Sequence, residues 1–164
     1  MASSSRNVPP LSELLMLDMR TPETANSKGT TMIIIAEDQQ EFSDELADLL
    51  RSAGYVVKQC ANGAELLAAI KDHRPDLVLL DMMMPILDGW EVLRSLQQDK
   101  STIPIAVLTA ITRDEQAALY KFKQVRTVLD KTDVEILLKK IGYLIQKHKE
   151  STNDGRPDRH ETEE

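Results

Sequence analysis

Short, mostly apolar runs alternate along the chain with longer stretches in which apolar residues recur every three or four positions. The five runs are Met32–Ala36, Tyr55–Cys60, Leu77–Leu80, Ile103–Leu108 and Thr127–Leu129. Strands that read as nearly unbroken apolar runs are typical of a sheet covered on both faces. Five β/α units in succession therefore predict an α/β fold with a doubly wound parallel sheet and right-handed crossovers.

The stretches between the strands carry signals for the starts and ends of helices. One predicted helix holds Phe42 and stops before Gly54, and a second spans Gly63–Lys71 after Asn62. Three pairs have the spacing of a capping box, which marks a helix start: Asp88 with Glu91, Thr112 with Glu115, and Thr132 with Glu135. They predict a helix over Gly89–Gln98, a fourth helix after Thr112, and a last helix over about Asp133–His148.

The ends of the chain differ in composition from its centre. Residues 1–31 are rich in Ser, Pro, Thr and Asn and predict a flexible leader, and residues 149–164 predict a disordered acidic tail. Within the leader, four apolar residues fall at near-helical spacing: Leu11, Leu14, Leu15 and Met19. Because an isolated helix this short is marginal in water, we expect a transient helix there rather than a docked one. The folded domain is expected over residues 32–148.

Composition excludes several classes of protein. A length of 164 residues suits one domain, and a net charge of -7 without a basic run predicts no direct contact with nucleic acid. No apolar run is long enough to cross a bilayer, so no membrane insertion is expected. The single cysteine, Cys60, cannot form an internal disulfide, and the three histidines lack partners at metal-ligand spacing. A cytoplasmic location is the simplest interpretation.

Residues with chemical potential collect where the predicted strands end. Glu37 and Asp38 follow the first strand, Asp81 the third, Thr109 the fourth and Lys131 the fifth. Each has an ordinary explanation alone, such as a helix start, a turn or a solvated lysine. However, ligands of parallel sheets bind outside the carboxyl ends of the strands. Three acids, a hydroxyl and an amine at that edge together predict a site.

The residue types in this cluster suit phosphoryl transfer. Clustered carboxylates raise one another's pKa, and a hard divalent cation with oxygen ligands, such as Mg²⁺, relieves that repulsion. Such a cation also clamps phosphoryl oxygens, and a carboxylate can act as nucleophile to form an acyl phosphate. An amine opposite the carboxylates can neutralise the added charge, while a hydroxyl one strand away can donate to a phosphoryl oxygen.

The ordered set of motifs resembles the receiver domains of response regulators over about Met32–His148. The matching features are the acidic pair Glu37–Asp38, the run Leu77–Asp81, Met84–Pro85, Asp88–Gly89, Thr109–Ala110 and Lys131. The resemblance implies a flavodoxin-like fold with five helices and a five-stranded sheet in the order 2-1-3-4-5. It also implies phosphotransfer from a sensor histidine kinase or a phosphotransfer protein.

The resemblance implies a role for each site residue. Asp81 would be the phosphoacceptor and a ligand of Mg²⁺, with Asp38 binding the ion directly and Glu37 largely through water. The backbone carbonyl of Met83 would complete the protein's share of the metal ligands. Thr109 would be the switch hydroxyl, and Lys131 would contact the phosphoryl group. Small Ala110 would leave the site open to a phosphodonor.

Four positions depart from the family pattern. Thr132 stands where many receivers have a proline after a cis bond, so a trans Lys131–Thr132 bond is expected. Val128 replaces the usual aromatic ring, which puts a relay from threonine to that ring in doubt. Met83 and Ile111 place apolar groups beside the site, and neither can orient an attacking water. A phosphorylated Asp81 is therefore expected to hydrolyse slowly.

The sequence favours a single-domain response regulator, because no output domain follows the predicted receiver. Such a protein would act through a downstream target protein, and the face formed by 111–123, Val128 and the last helix is the candidate output surface. It would be a switch rather than an enzyme. Thr132 and Val128 keep a second hypothesis open, a receiver-like interaction module that works without phosphorylation. A Mg²⁺-dependent phosphatase is disfavoured because Met82–Met84 supplies no second acid after Asp81.

Overall fold

A five-stranded parallel sheet forms the centre of the protein. The computed structural model describes residues 30–153. The strands lie in the order β2-β1-β3-β4-β5, and their bounds are β1 Met32–Ala36, β2 Val56–Cys60, β3 Leu77–Asp81, β4 Ile105–Leu108 and β5 Val125–Leu129. The predicted strand order, with β2 at the margin of the sheet, is confirmed.

Within residues 30–153, five helices cover the sheet: α1 Gln40–Ser52, α2 Gly63–His73, α3 Gly89–Gln98, α4 Arg113–Leu119 and α5 Val134–Asn153. Alternate strand residues point to opposite faces, so each central strand contributes to two cores. In β1, Ile33 and Ile35 pack with residues of α1 and α5, whereas Ile34 packs with residues of α2, α3 and α4. Both faces of the sheet are therefore buried, as the apolar runs predict.

Three strands start at a different residue from the one predicted, and each shift has a local cause. Tyr55 precedes β2 because its N–H donates to the carbonyl of Leu50 at the end of α1. Pro104 has no N–H to donate to the sheet, and β4 begins after it. Strand β5 begins earlier than predicted, at Val125. The sequence pattern does not reveal this start because exposed Arg126, at a break in the register with β4, interrupts the apolar run.

Helix caps follow the sequence signals at three of four predicted positions. The side chain of Asn62 accepts from the N–H of Glu65, and capping boxes form between Asp88 and Glu91 and between Thr112 and Glu115. The box predicted at Thr132 and Glu135 is wrong. Instead, Asp133 Oδ1 accepts from the N–H of Ile136, while Thr132 bonds to Asp130.

The two ends of the domain meet. Helix α5 continues to Asn153, so the predicted start of the tail at residue 149 is wrong for its first five residues. Lys149 Nζ donates to Thr31 Oγ1 at 2.5 Å, and the carbonyl of buried Thr31 accepts from the N–H of Val56. Residues 1–29 and 154–164, which hold the rest of the predicted leader and tail, lie outside the described residues.

Within residues 30–153, no helix combines the length and the apolar character that a bilayer-spanning helix needs.

Gly89 lets α3 begin directly against the end of β3. A Cβ at this position would lie 2.7 Å from Met82 Cα and 3.0 Å from the Asp81 carbonyl oxygen, while Gly142 in α5 has nothing within 4 Å. We expect Gly89→Ala to lower the free energy of unfolding by about 1–2 kcal/mol through overpacking. The matched variant Gly142→Ala should raise it by about 0.5–1 kcal/mol, since alanine favours a helix interior.

Urea unfolding of the three proteins measures both effects. Equal stability of Gly89→Ala and the unmodified protein would show that β3 and α3 can separate freely, contrary to the close packing at Gly89.

Candidate functional site

The candidate residues lie at the carboxyl edge of the sheet, as predicted. Asp81 ends β3, Glu37 directly follows neighbouring β1, and Thr109 directly follows β4 on the other side. Lys131 lies two residues after the end of β5. Because β3 is the central strand, Asp81 stands in the middle of this edge with the other groups around it.

Three carboxylates form a compact acidic cluster. Glu37, Asp38 and Asp81 each offer an oxygen, and these oxygens lie within 4.8 Å of one another. Glu37 and Asp81 are only 1 % and 5 % exposed, whereas Asp38 is open to solvent. A group of carboxylate oxygens with one solvent-facing side fits a hard divalent cation that keeps some of its water ligands.

Lys131 bridges two of the three carboxylates. Its Nζ atom lies 2.5 Å from Glu37 Oε2 and 3.2 Å from Asp81 Oδ2. The ammonium thus links the ends of β1 and β3 from the loop that follows β5. Within the described residues it supplies the positive charge that these buried carboxylates need.

The titration of this group reflects competition between burial and ion pairing. Burial raises the pKa of Glu37 above its usual value, and the Asp81 charge adds to this, although Lys131 and the Gln39 N–H partly oppose it. Burial alone would lower the pKa of Lys131, but hydrogen bonding to Glu37 and the Asp81 charge outweigh burial and raise it. Lys131 therefore stays charged at neutral pH.

Phe42 is a part of the site that sequence patterns did not reveal. The Lys131 Nζ atom lies 5.4 Å from the centroid of this half-buried ring, within the range of a cation–π contact. In the sequence, Phe42 reads only as one apolar position of α1. Its helical spacing carries no sign of the lysine, which comes from the opposite end of the chain.

The loop after Asp81 separates buried from exposed side chains. Met82 and Met84 pack into the core, whereas the Met83 side chain is 76 % exposed. The Met83 N–H donates to Asp81 Oδ1 at 3.2 Å, so it orients the carboxylate from the side opposite the Lys131 contact. Both Asp81 oxygens are therefore held by the protein.

The structure shows the local geometry at Thr132 and Val128, two of the positions that depart from the family pattern. No cis peptide bond occurs among the described residues, so Lys131–Thr132 is trans, as expected. Asp130 Oδ1 accepts from both the N–H and the hydroxyl of Thr132, and these two bonds lower the pKa of Asp130. This turn fixes the loop that carries Lys131.

Val128 is half-buried and packs against the core beneath α2, α3 and α4.

Thr109 and its neighbours line a groove. Thr109 is buried, and its N–H donates to the carbonyl of Leu129 on β5. A groove of about 500 Å³ runs from Thr109 and Ala110 past Ile111 towards α5. Ala110 is exposed, so the approach to the site is not closed by a bulky side chain at that position.

Comparison with known proteins agrees with this geometry. Residues 33–141 match the family model of the response regulator receiver domain. The response regulator MprA of a Mycobacterium species (strain KMS) is 42% identical over 78 residues, which cover 48% of this chain and 34% of the relative. The receiver domain protein (CheY-like) of Methanospirillum hungatei has a TM-score of 0.66 at 21% identity, over 75% of this chain and 99% of that one.

A second curated relative bears on the expected partners. The DNA-binding response regulator MtrA of Mycolicibacterium smegmatis is 39% identical over 80 residues, covering 49% of this chain and 35% of the relative. The chain thus spans about a third of the length of both curated relatives. The name of this relative does not fit the expectation of no contact with nucleic acid, which stays a prediction for the residues described.

The strand order, the carboxylates around the end of β3 and the family match over 109 of 164 residues lead to one conclusion. This chain belongs to the response regulator receiver domain family.

Proposed function

We propose that the chain is a phosphorylation switch in which Asp81 accepts a phosphoryl group from a phosphohistidine of a sensor histidine kinase or phosphotransfer protein. One observation carries this proposal: three carboxylates lie within 4.8 Å of one another, with the Lys131 ammonium against Glu37 and Asp81. This arrangement combines a nucleophile, a cation-binding oxygen set and a fixed positive charge.

The transfer step follows from the contacts of Asp81. A carboxylate oxygen of Asp81 forms a bond to phosphorus, and the phosphorus–nitrogen bond of the phosphohistidine breaks. The electron pair of that bond stays on the imidazole nitrogen, which takes up a proton. Lys131 Nζ already lies 3.2 Å from Asp81 Oδ2, so its ammonium can move to contact the negatively charged phosphoryl oxygens once they are attached to Asp81.

The carboxylate set fits Mg²⁺, and four groups would hold the ion: Asp38, Asp81, the Met83 carbonyl and, through water, Glu37. When bound, Mg²⁺ would screen the repulsion between the carboxylates and the incoming phosphoryl group. Glu37 and Asp81 would then need Lys131 less, which frees the ammonium to contact the phosphoryl oxygens. Thr109, on the strand next to Asp81, would donate its hydroxyl to the phosphoryl group.

The switch would act through a protein–protein contact that depends on phosphorylation. The loop after Thr109 leads into α4 and lines the groove against α5, so a shift at Thr109 would change this surface. The net charge of -7 favours a protein target over nucleic acid.

We expect the protein to work in the cytoplasm, because its single cysteine, Cys60, is buried and unpaired, which fits a reducing compartment.

Phosphorylation can be tested without knowing the kinase. We expect the purified chain to gain one phosphoryl group when it is incubated with Mg²⁺ and acetyl phosphate, as read by intact mass. Asp81→Asn, which keeps the size of the side chain but removes the nucleophilic charge, should gain none, and neither should the protein in a chelator. A folded protein that binds Mg²⁺ yet gains no phosphoryl group would instead support an interaction module that works without phosphorylation.

The lifetime of the acyl phosphate tests the role of the apolar neighbours. Met83 and Ile111 offer no group to orient a water, so we expect slow hydrolysis. The double variant Met83→Asn/Ile111→Glu should lose its phosphoryl group several-fold faster, measured by intact mass after the phosphodonor is removed. The conservative variant Met83→Leu/Ile111→Leu serves as a control and should decay like the unmodified protein. Equal rates in all three would show that these side chains do not limit hydrolysis.

A further inference from the structure

Helix α5 exposes a stripe of apolar and basic side chains. Ile136, Lys140, Tyr143 and Lys147, which we call the α5 stripe, follow one another at three or four residues and so share one side of the helix. Ile136 is 49 % and Tyr143 60 % exposed, and Lys147 Nζ lies 5.8 Å from the centroid of the Tyr143 ring. The opposite side of α5 packs on the sheet through residues such as Leu137 and Ile141.

The stripe continues into the groove described above. Ile136 and Lys140 line this groove together with Ile111 and Val128, which are both half-buried. The apolar surface therefore reaches from Tyr143 along α5 to the loop after β4. The Tyr143 ring stays mostly exposed with Lys147 beside it, so it is open to a partner.

The stripe is basic although the protein is acidic. The stripe itself carries two lysines, Lys140 and Lys147, and no Asp or Glu, whereas the whole chain has a net charge of -7. An occupant that matches this surface has apolar residues on one side and carries acids.

One segment of this chain has that composition. Residues 11–19 lie outside the described part of the chain, but their sequence contains Leu11, Leu14, Leu15 and Met19 at near-helical spacing. It also contains Glu13 and Asp18 and no Lys or Arg. The sequence alone predicts a transient helix here, because such a segment is marginal in isolation. The exposed stripe changes this expectation, since an apolar surface to pack against is what stabilises short helices in proteins.

The segment can reach the stripe. The Lys149–Thr31 contact places the start of β1 beside the last turns of α5, about two turns beyond Tyr143. Residues 20–29 join residue 19 to this point, and ten residues span up to about 33–36 Å. Nine residues in helical form are about 13 Å long, close to the separation of about 11 Å between Ile136 and Tyr143 along α5.

We propose that residues 11–19 bind along the α5 stripe of the same chain. The leucines pack on Ile136 and Tyr143, while Glu13 and Asp18 lie against Lys140 and Lys147. Because residues 20–29 join the segment to the domain, the contact is intramolecular and needs little intrinsic affinity. Because the stripe belongs to the candidate output surface, the bound segment would compete with any target protein for it.

Zero-length cross-linking of the full chain tests this contact. A carbodiimide joins a carboxylate and a lysine only when they touch, and peptide mass spectrometry identifies the pair. We expect Glu13 or Asp18 to be joined to Lys140 or Lys147 in preference to other exposed lysines such as Lys71 and Lys100. Cross-linking an equal mixture of ¹⁴N and ¹⁵N protein should give unmixed isotope pairs, as an intramolecular contact requires.

Variants separate docking from chance collision. Leu14→Ser/Leu15→Ser in the segment and Tyr143→Ser in the stripe remove apolar surface without adding a carboxylate, and each should reduce these cross-links by roughly tenfold, the effect of losing a buried apolar anchor. Val56→Ser, at an apolar position on edge strand β2 that is 45 % exposed, serves as the control and should leave them unchanged. Circular dichroism checks that every variant is folded.

Three outcomes would overturn the proposal. Cross-links spread evenly over exposed lysines would mean that the segment has no fixed place. Cross-links that persist in Leu14→Ser/Leu15→Ser would mean that charge alone brings the groups together. Mixed isotope pairs would show that the stripe binds a second copy of the chain instead. The test requires no phosphorylation of Asp81, so its result is independent of the proposed function.

Discussion

One ammonium shared by two buried carboxylates sets the character of the whole site. Removing Glu37 and Asp81 from water is unfavourable, and Lys131 offsets this only if it lies close to both. The raised pKa of Glu37 shows that burial still outweighs the lysine at that carboxyl. The cluster therefore retains a demand for positive charge, which a divalent cation would meet.

The sheet provides the geometry that this interaction needs. Parallel strands bring the ends of β1, β3 and β4 to one edge, and the loop after β5 returns Lys131 to the centre of that edge. Cores on both faces hold the strands in place. Phe42 supports the lysine from α1, and the Asp130–Thr132 turn fixes its loop with a trans bond.

Most of the fold could be predicted from the sequence because the strands are short and apolar and the caps follow simple spacing rules. The errors fall where local chemistry competes. Thr132 bonds to Asp130 rather than capping α5, and Arg126 hides the start of β5 at a break in register. Helix α5 passes the expected boundary, and Lys149 in this extension contacts Thr31, a tertiary partner that polar composition cannot show.

The site residues could be identified because their positions at strand ends are encoded in the sequence order. The contacts between these residues could not be predicted from the sequence. The bridge from Lys131 to both Glu37 and Asp81, and the Phe42 ring beside it, depend on three-dimensional packing of segments that are up to 94 residues apart (131 minus 37). The α5 stripe is likewise visible only once the buried side of the helix is known, because its lysines look like ordinary solvated residues in the sequence.

A crystal structure of the protein with Mg²⁺ and beryllofluoride, a stable mimic of the phosphoryl group, would test whether Asp81 is the phosphoacceptor. We expect beryllium bonded to an Asp81 carboxylate oxygen, Mg²⁺ among Asp38, Asp81 and the Met83 carbonyl, and Lys131 moved from Glu37 onto a fluoride. A structure in which Lys131 still bridges Glu37 and Asp81, with neither ion bound at millimolar concentrations, would contradict this expectation. The carboxylate cluster would then be a structural ion pair rather than a phosphorylation site.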